Sequence, residues 1–111
     1  MSTLSTHVLD TMHGRPAAGL AVALSGPDGE IARATTNADG RCPDLAPGSL
    51  ARGRYTLRFA VADYFRRLGV ALAEPPFLDE VTVEFGIAGD GGHYHVPLLV
   101  SPFAYSTYRG S

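Results

Sequence analysis

Histidine and arginine carry most of the chemistry available to this chain: it has four histidines, and all nine of its basic residues are arginine. His7 stands in the run Leu4-Ser5-Thr6-His7-Val8-Leu9-Asp10. His93 and His95 stand two residues apart near the other end, in Gly92-His93-Tyr94-His95-Val96-Pro97. Imidazole titrates near neutral pH, so each ring is a candidate base, acid or metal ligand. On a strand, a two-residue spacing puts both rings of His93 and His95 on one face. Two such ligands fall short of a zinc site, which usually draws at least three from the protein. No Cys-x-x-Cys or His-Glu-x-x-His accompanies them. Arg41, after Asn37-Ala38-Asp39-Gly40, and Arg109, close to the last residue, offer planar guanidinium forks to oxygen-rich ligands. Taken singly, each of these residues has an ordinary explanation: a hydrogen-bonded strand histidine, a solvated arginine after a turn, a fraying terminal charge. Ser106 and Ser111 lack the strand–elbow–helix setting of a Gly-x-Ser-x-Gly nucleophile, which argues against a serine triad.

The elements that must position these groups are mostly strands. The last twenty residues read as a strand, a tight corner at Ser101-Pro102 and a second strand, since proline suits a corner better than a ladder interior. Alternation places His93, His95, Pro97 and Leu99 on one face, and Tyr94, Val96, Leu98 and Val100 on the other. Ala104, Ser106 and Tyr108 oppose Phe103, Tyr105 and Thr107. Residues 4–10 form the first strand, with Ser5, His7 and Leu9 opposite Leu4, Thr6 and Val8. A turn spans residues 10–16, and Gly26-Pro27-Asp28-Gly29 turns a hairpin between a strand on Leu20, Val22 and Leu24 and one over residues 30–36. Residues 42–53 read as a loop that could hold a short edge strand. Tyr55, Leu57 and Phe59 alternate inward in the next strand. Val61, Tyr64, Phe65 and Leu68 then change the period to that of a two-turn amphipathic helix. Val81, Val83 and Phe85 mark another strand, and Gly86 and residues 89–92 a loop. Seven to eight short strands with turn signals every ~8–12 residues predict an all-β antiparallel sandwich with one short helix.

A chain of 111 residues, 45% hydrophobic, is one domain spanning 1–111 with a small core. A net charge of −2 without a basic run excludes nucleic acid as a natural partner. No apolar run approaches the ~20 residues that span a bilayer. With one cysteine, Cys42, there is no internal disulfide, and no secretory pattern opens the chain. The expected location is the cytoplasm.

Three stretches together carry a resemblance. Tyr94-His95-Val96-Pro97-Leu98-Leu99 with Ser101-Pro102-Phe103 and the terminal Tyr108-Arg109-Gly110-Ser111, then Leu4–Asp10, then Thr36–Arg41, resemble the 5-hydroxyisourate hydrolase family, the transthyretin-like enzymes of urate breakdown. The terminal tetrapeptide is the mark that separates these hydrolases from transthyretin, the hormone carrier of the same fold. The resemblance implies a transthyretin-like sandwich and hydrolysis of 5-hydroxyisourate to 2-oxo-4-hydroxy-4-carboxy-5-ureidoimidazoline without metal or organic cofactor. It implies His7, Arg41 and His95 as catalytic residues, and Tyr108, Arg109, Gly110 and Ser111 as substrate-binding ones. One histidine would deprotonate water while the other orients it or protonates the leaving nitrogen. Ser106 joins the binding set because it shares a face with Tyr108. His13 then reads as a turn residue, and His93 as lining the mouth. The family assembles as homotetramers, dimers stacked face to face, which would enclose a channel over Leu9 and Leu99. A non-catalytic small-ligand carrier and a structural module of a secreted assembly are the alternative readings.

Overall fold

The structure, a computed structural model, describes residues 1–46, 48–89 and 91–110. Among them run β1 (Thr3–Ser5), β2 (Val8–Asp10), β3 (Arg15–Pro16), β4 (Ala21–Gly26), β5 (Gly29–Thr35), β6 (Gly53–Ala60), α1 (Val61–Arg67), β7 (Glu80–Ile87), β8 (His93–His95), β9 (Leu98–Val100) and β10 (Tyr105–Thr107). One four-stranded sheet has the order β5-β4-β6-β7, and a second β10-β9-β2-β3, with β1-β8 as a two-stranded piece. The β4-β5, β4-β6 and β6-β7 pairs are antiparallel. Leu24, Leu57, Phe59 and Val81 of the first sheet join Val8, Leu98 and Val100 of the second in one buried core. Full burial of side chains of this size stabilises by roughly 1.5–3 kcal/mol each.

The expected sandwich, with its single short helix, is present. The helix buries Val61, Ala62, Tyr64 and Phe65, with Asp63 in its first turn and Arg66 and Arg67 in its last, as the helix dipole favours. Gly69, at φ +82°, ends it: the Gly69 amide donates to Arg66 O (2.9 Å) and the Val70 amide to Phe65 O (3.0 Å).

Four local expectations need correction. Arg15–Pro16, read as part of a turn, pairs with β2. Gly86, read as loop, lies inside β7. The described residues of the 42–53 loop contribute an isolated bridge, Ser2 to Leu50, rather than an edge strand. The first strand and the tail strand are each split, which together with β3 brings the count among the described residues to ten.

The split falls at the same level in both strands. β1 pairs with β8, and β2 with β9, both in parallel and in a constant register: Thr3 with His93, Ser5 with His95, Val8 with Leu98 and Asp10 with Val100. The N-terminal segment thus lies beside the tail along one seam. It is interrupted at Thr6–His7 and Val96–Pro97. The Thr6 hydroxyl donates to Val96 O at 2.7 Å across the gap, and the Val96 and Leu98 amides donate to Ser5 O and His7 O on either side, both at 2.9 Å. Burial follows the expected alternation except at Pro97, which was expected on the outer face and is buried: Leu4, Thr6 and Val8 are buried, as are Tyr94, Val96, Leu98 and Val100, whereas Ser5, His7, Leu9, His95 and Leu99 are only partly covered.

Beneath the seam, Asp10 is 1% exposed. Its Oδ2 accepts from His13 Nδ1 (2.6 Å) and from the Tyr64 hydroxyl (2.7 Å), and its Oδ1 from the His13 amide (2.9 Å). His13 is therefore a turn residue with a structural partner. Burial pushes the Asp10 pKa up, but the bonds from His13 and Tyr64 together outweigh it and hold the carboxyl below its ordinary 3.8. A depressed folded pKa means that this contribution to stability is present above the ordinary carboxylate range and is lost as pH falls through the folded value. Tyr64→Phe should cost about 1.5–3 kcal/mol at pH 7, the worth of a hydrogen bond to a charged group. It should also raise the pH of acid unfolding, and its deficit should shrink by pH 3. Urea titrations of both proteins at the two pH values measure this; an equal deficit at both would remove the charge from the explanation.

Candidate active site

His7 sits at the break in the N-terminal strand, and its backbone bridges to Arg41 on the side away from the tail. The loop supplying Arg41 is shaped by Asn37, whose Oδ1 accepts the amides of Asp39 and Arg41, each at 3.0 Å. Gly40 adopts φ +77°, and a Cβ there would fall 2.4 Å from Val8 O. No other residue fits so close to the strand in that conformation. The result brings Asp39 O to 2.8 Å from His7 Nε2. A carbonyl only accepts, so Nε2 carries the proton and Nδ1 bears the lone pair when His7 is neutral.

His95 is half-buried on the same face, two register positions along the seam from His7. Its Nδ1 lies 2.7 Å from Ser5 Oγ. Burial lowers its pKa first, and the nearby charges of Arg41, His7 and His93 lower it further. A neutral ring at pH 7 follows, with Nε2 left to serve the site. The chain end returns to this ring: Gly110 bridges to His95, its amide donating to His95 O at 2.7 Å. A Cβ on Gly110 would meet His95 Cδ2 at 2.6 Å, so glycine lets the terminal backbone lie against the imidazole edge. A shallow depression beside Arg41 is lined by Leu4, Ser5, Thr6, Asn37, Cys42 and Pro43. Burial pushes the Cys42 thiol up to about 11, which makes it a poor nucleophile.

The seam thus brings together His7, Arg41, His95 and Gly110. Arg109 is placed differently: its guanidinium lies 3.9 Å over the Tyr94 ring and reaches His93 O at 3.4 Å. With Tyr108 it lines a groove beside Val83, Phe85 and Val96, on the Tyr94 side of the strand. Ser106 is exposed and pairs with Leu99, which puts it on the face with Leu9. Ser111 lies outside the described residues.

The residues that sequence reasoning passed over are Thr3 and Ser5. The signal was available: Thr3-x-Ser5 has the same two-residue period as His93-x-His95, but only the parallel register shows that the two pairs face each other. Asn37, which sets the Arg41 loop, was read only as part of a turn. Among the described residues no three His, Cys, Asp or Glu side chains converge as a metal site would require.

Comparison with known proteins places this geometry. The model of the HIUase/Transthyretin family matches residues 4–110. A 5-hydroxyisourate hydrolase of Caulobacter vibrioides is 50% identical over 115 residues, covering 100% of both chains. The structure of Klebsiella pneumoniae 5-hydroxyisourate hydrolase superimposes with a TM-score of 0.87 at 39% identity, again over 100% of both chains. Sea bream transthyretin in complex with thyroxine follows with a TM-score of 0.84 at 30% identity, over 96% of this chain and 93% of that one. A family match that leaves out only the first three residues and the last, together with 50% identity to a hydrolase over its full length, shows that the chain belongs to the HIUase/Transthyretin family.

Proposed function

We propose that this protein hydrolyses 5-hydroxyisourate, opening its six-membered ring to 2-oxo-4-hydroxy-4-carboxy-5-ureidoimidazoline. One observation carries the reading: the His7 and His95 rings and the Arg41 guanidinium share one face of the seam, with the terminal backbone closed over His95 at Gly110. Ring opening needs a base for water, a cation for the oxyanion that forms on the attacked carbonyl, and a proton for the nitrogen that leaves. His95 Nε2, neutral at pH 7, takes the proton from water as the water oxygen bonds to the carbonyl carbon. Arg41 faces the developing oxyanion. The C–N bond then breaks and the nitrogen receives a proton from a histidine. Side chains suffice for each step, without a metal.

The rival reading is a carrier, for which the relative bound to thyroxine is the precedent. A carrier needs an apolar cavity and no base. Here the polar cluster of His7, Arg41 and His95 lies on the face that Leu9 and Leu99 continue, and this supports catalysis. A single sandwich face cannot enclose a substrate. We therefore place the working enzyme in the cytoplasm as a homotetramer, two dimers stacked over Leu9 and Leu99. Leu9 and Leu99, only partly covered in the single chain, give this face apolar surface to cover. In that assembly Ser106, paired with Leu99, borders the channel wall, while Tyr108 and Arg109 line the groove on the Tyr94 side. Among the described residues, no helix is long and apolar enough to cross a membrane.

Freshly generated 5-hydroxyisourate is the discriminating substrate: its absorbance should decay faster with the protein than without it, whereas a carrier would bind it saturably without turnover. His7→Ala and His95→Ala should each lower kcat by ~10²–10⁴, the range of a general acid or base. Near-wild-type turnover in either folded variant would remove that residue from the mechanism. Because His95 is held below the usual 6.5, the acid limb of kcat/KM should fall below that value, the rate dropping as protonation removes the lone pair. Deleting Tyr108 to Ser111 should abolish turnover and weaken assembly while leaving the core of Leu57, Phe59 and Val81 folded. Turnover, mass in solution and thermal midpoint of the truncated chain test this, and full activity would leave the tail without a role in the site.

A further inference from the structure

Four side chains on the β1-β8 pair form one unbroken line of hydrogen bonds. Thr3 Oγ1 lies 2.6 Å from His93 Nδ1, His93 Nε2 lies 2.8 Å from Ser5 Oγ, and Ser5 Oγ lies 2.7 Å from His95 Nδ1. The parallel register makes this arrangement: Thr3 faces His93 and Ser5 faces His95 across the seam, all four on one face, so the His93 ring spans the gap between the two hydroxyls. The His-x-His pair, read alone as two prospective metal ligands, is thus joined through the Ser5 hydroxyl. Thr3 and His93 are exposed, and His95 is half-buried against Gly110. The line therefore runs from solvent to the ring that faces the site.

We propose that Thr3, His93 and Ser5 are a proton relay that sets the tautomer of His95 and carries protons between it and solvent. The inference rests on the hydrolase reading above. A neutral imidazole donates once and accepts once, and a hydroxyl does both. The line then has two uniform directions. In one, His95 Nδ1–H donates to Ser5, Ser5 O–H to His93 Nε2, and His93 Nδ1–H to Thr3; His95 Nε2 is a bare lone pair, a base. In the other every bond is reversed and His95 Nε2–H is an acid. Proton uptake from water at Nε2 converts the first into the second without moving a heavy atom. The Nδ1 proton passes to Ser5 Oγ, the Ser5 hydroxyl proton to His93 Nε2, the His93 Nδ1 proton to Thr3 Oγ1, and the Thr3 hydroxyl proton leaves to solvent. When His95 then protonates the leaving nitrogen, a solvent proton entering at Thr3 runs the same steps backwards and restores the base. One proton leaves and one returns, so the relay is unchanged after each cycle. His95 can act as base and then as acid, and His93 and Ser5 are positioning residues that never touch substrate.

Ser5→Ala and His93→Phe test the relay in the full-length protein. Each should lower kcat about tenfold or more, within the range of acid–base assistance, while KM changes little. Ser5→Thr, which keeps the hydroxyl, should restore most of the rate. The double variant should be no slower than the slower single one, because either substitution cuts the same line. Nitrogen-15 NMR of the His95 ring gives a readout independent of turnover: the wild type should show tautomers that respond to loss of Ser5, and the Ser5→Ala ring should lose the Nδ1 hydrogen-bond signature. A folded Ser5→Ala protein with wild-type kcat and unchanged His95 nitrogen shifts would overturn the relay. Failure of the wild-type protein to hydrolyse 5-hydroxyisourate would instead defeat the hydrolase reading, with the NMR result still standing on its own.

Discussion

The parallel pairing of the N-terminal strands with the tail strands is the contact on which the rest of the site depends. Every functional candidate of the seam is placed by it. The constant register sets Ser5 opposite His95 and Thr3 opposite His93. At the interruption the His7 backbone bridges to Arg41 on one side while its carbonyl still accepts the Leu98 amide on the other. Parallel strands this close cannot be joined by a short turn. Here most of the chain, including the whole of the other sheet, separates the two partners. The site therefore exists only when the fold is complete, and a one-residue slip of the register would turn every histidine of the seam to the other face.

What keeps the register is the buried side of the same strands. Leu4, Val8, Tyr94, Val96, Leu98 and Val100 pack into the common core. A slip would expose them, at a cost of roughly 1.5–3 kcal/mol for each large side chain. Asp10 fixes the far end by a different means. Its charge is affordable in the interior only because His13 and Tyr64 donate to it, and those bonds tie β2 to the following turn and to α1. On the outer face no such packing is needed, and polar groups can be spaced for chemistry. Glycines at two points let backbone approach where a side chain would collide: Gly40 against Val8, and Gly110 against the His95 ring.

The fold itself does not choose between hydrolysis and transport, since a 5-hydroxyisourate hydrolase and a thyroxine-bound transthyretin superimpose on it nearly equally well. The choice lies in which side chains the seam carries on its outer face. His95, kept neutral by burial and by neighbouring positive charge, is suited to moving protons at pH 7, and an apolar ligand would gain nothing from it.

The sequence by itself determined a good deal. Strand alternation separated Ser5, His7 and Leu9 from Leu4, Thr6 and Val8 correctly, because a two-residue period needs no knowledge of the partner strand. The helix at Tyr64 and Phe65, the inward face of Tyr55, Leu57 and Phe59, and the family motifs were legible for the same local reason. Partnership was not legible. That the tail lies parallel to the N-terminus, that both strands break at the same level, and that Thr3 and Ser5 flank His93 are facts about residues about ninety positions apart. Arg109 makes the point most plainly: its sequence neighbour Gly110 lies against His95, while its own guanidinium turns to the Tyr94 ring. Adjacent residues on an extended chain face opposite ways, and only the packed structure decides what each of them meets.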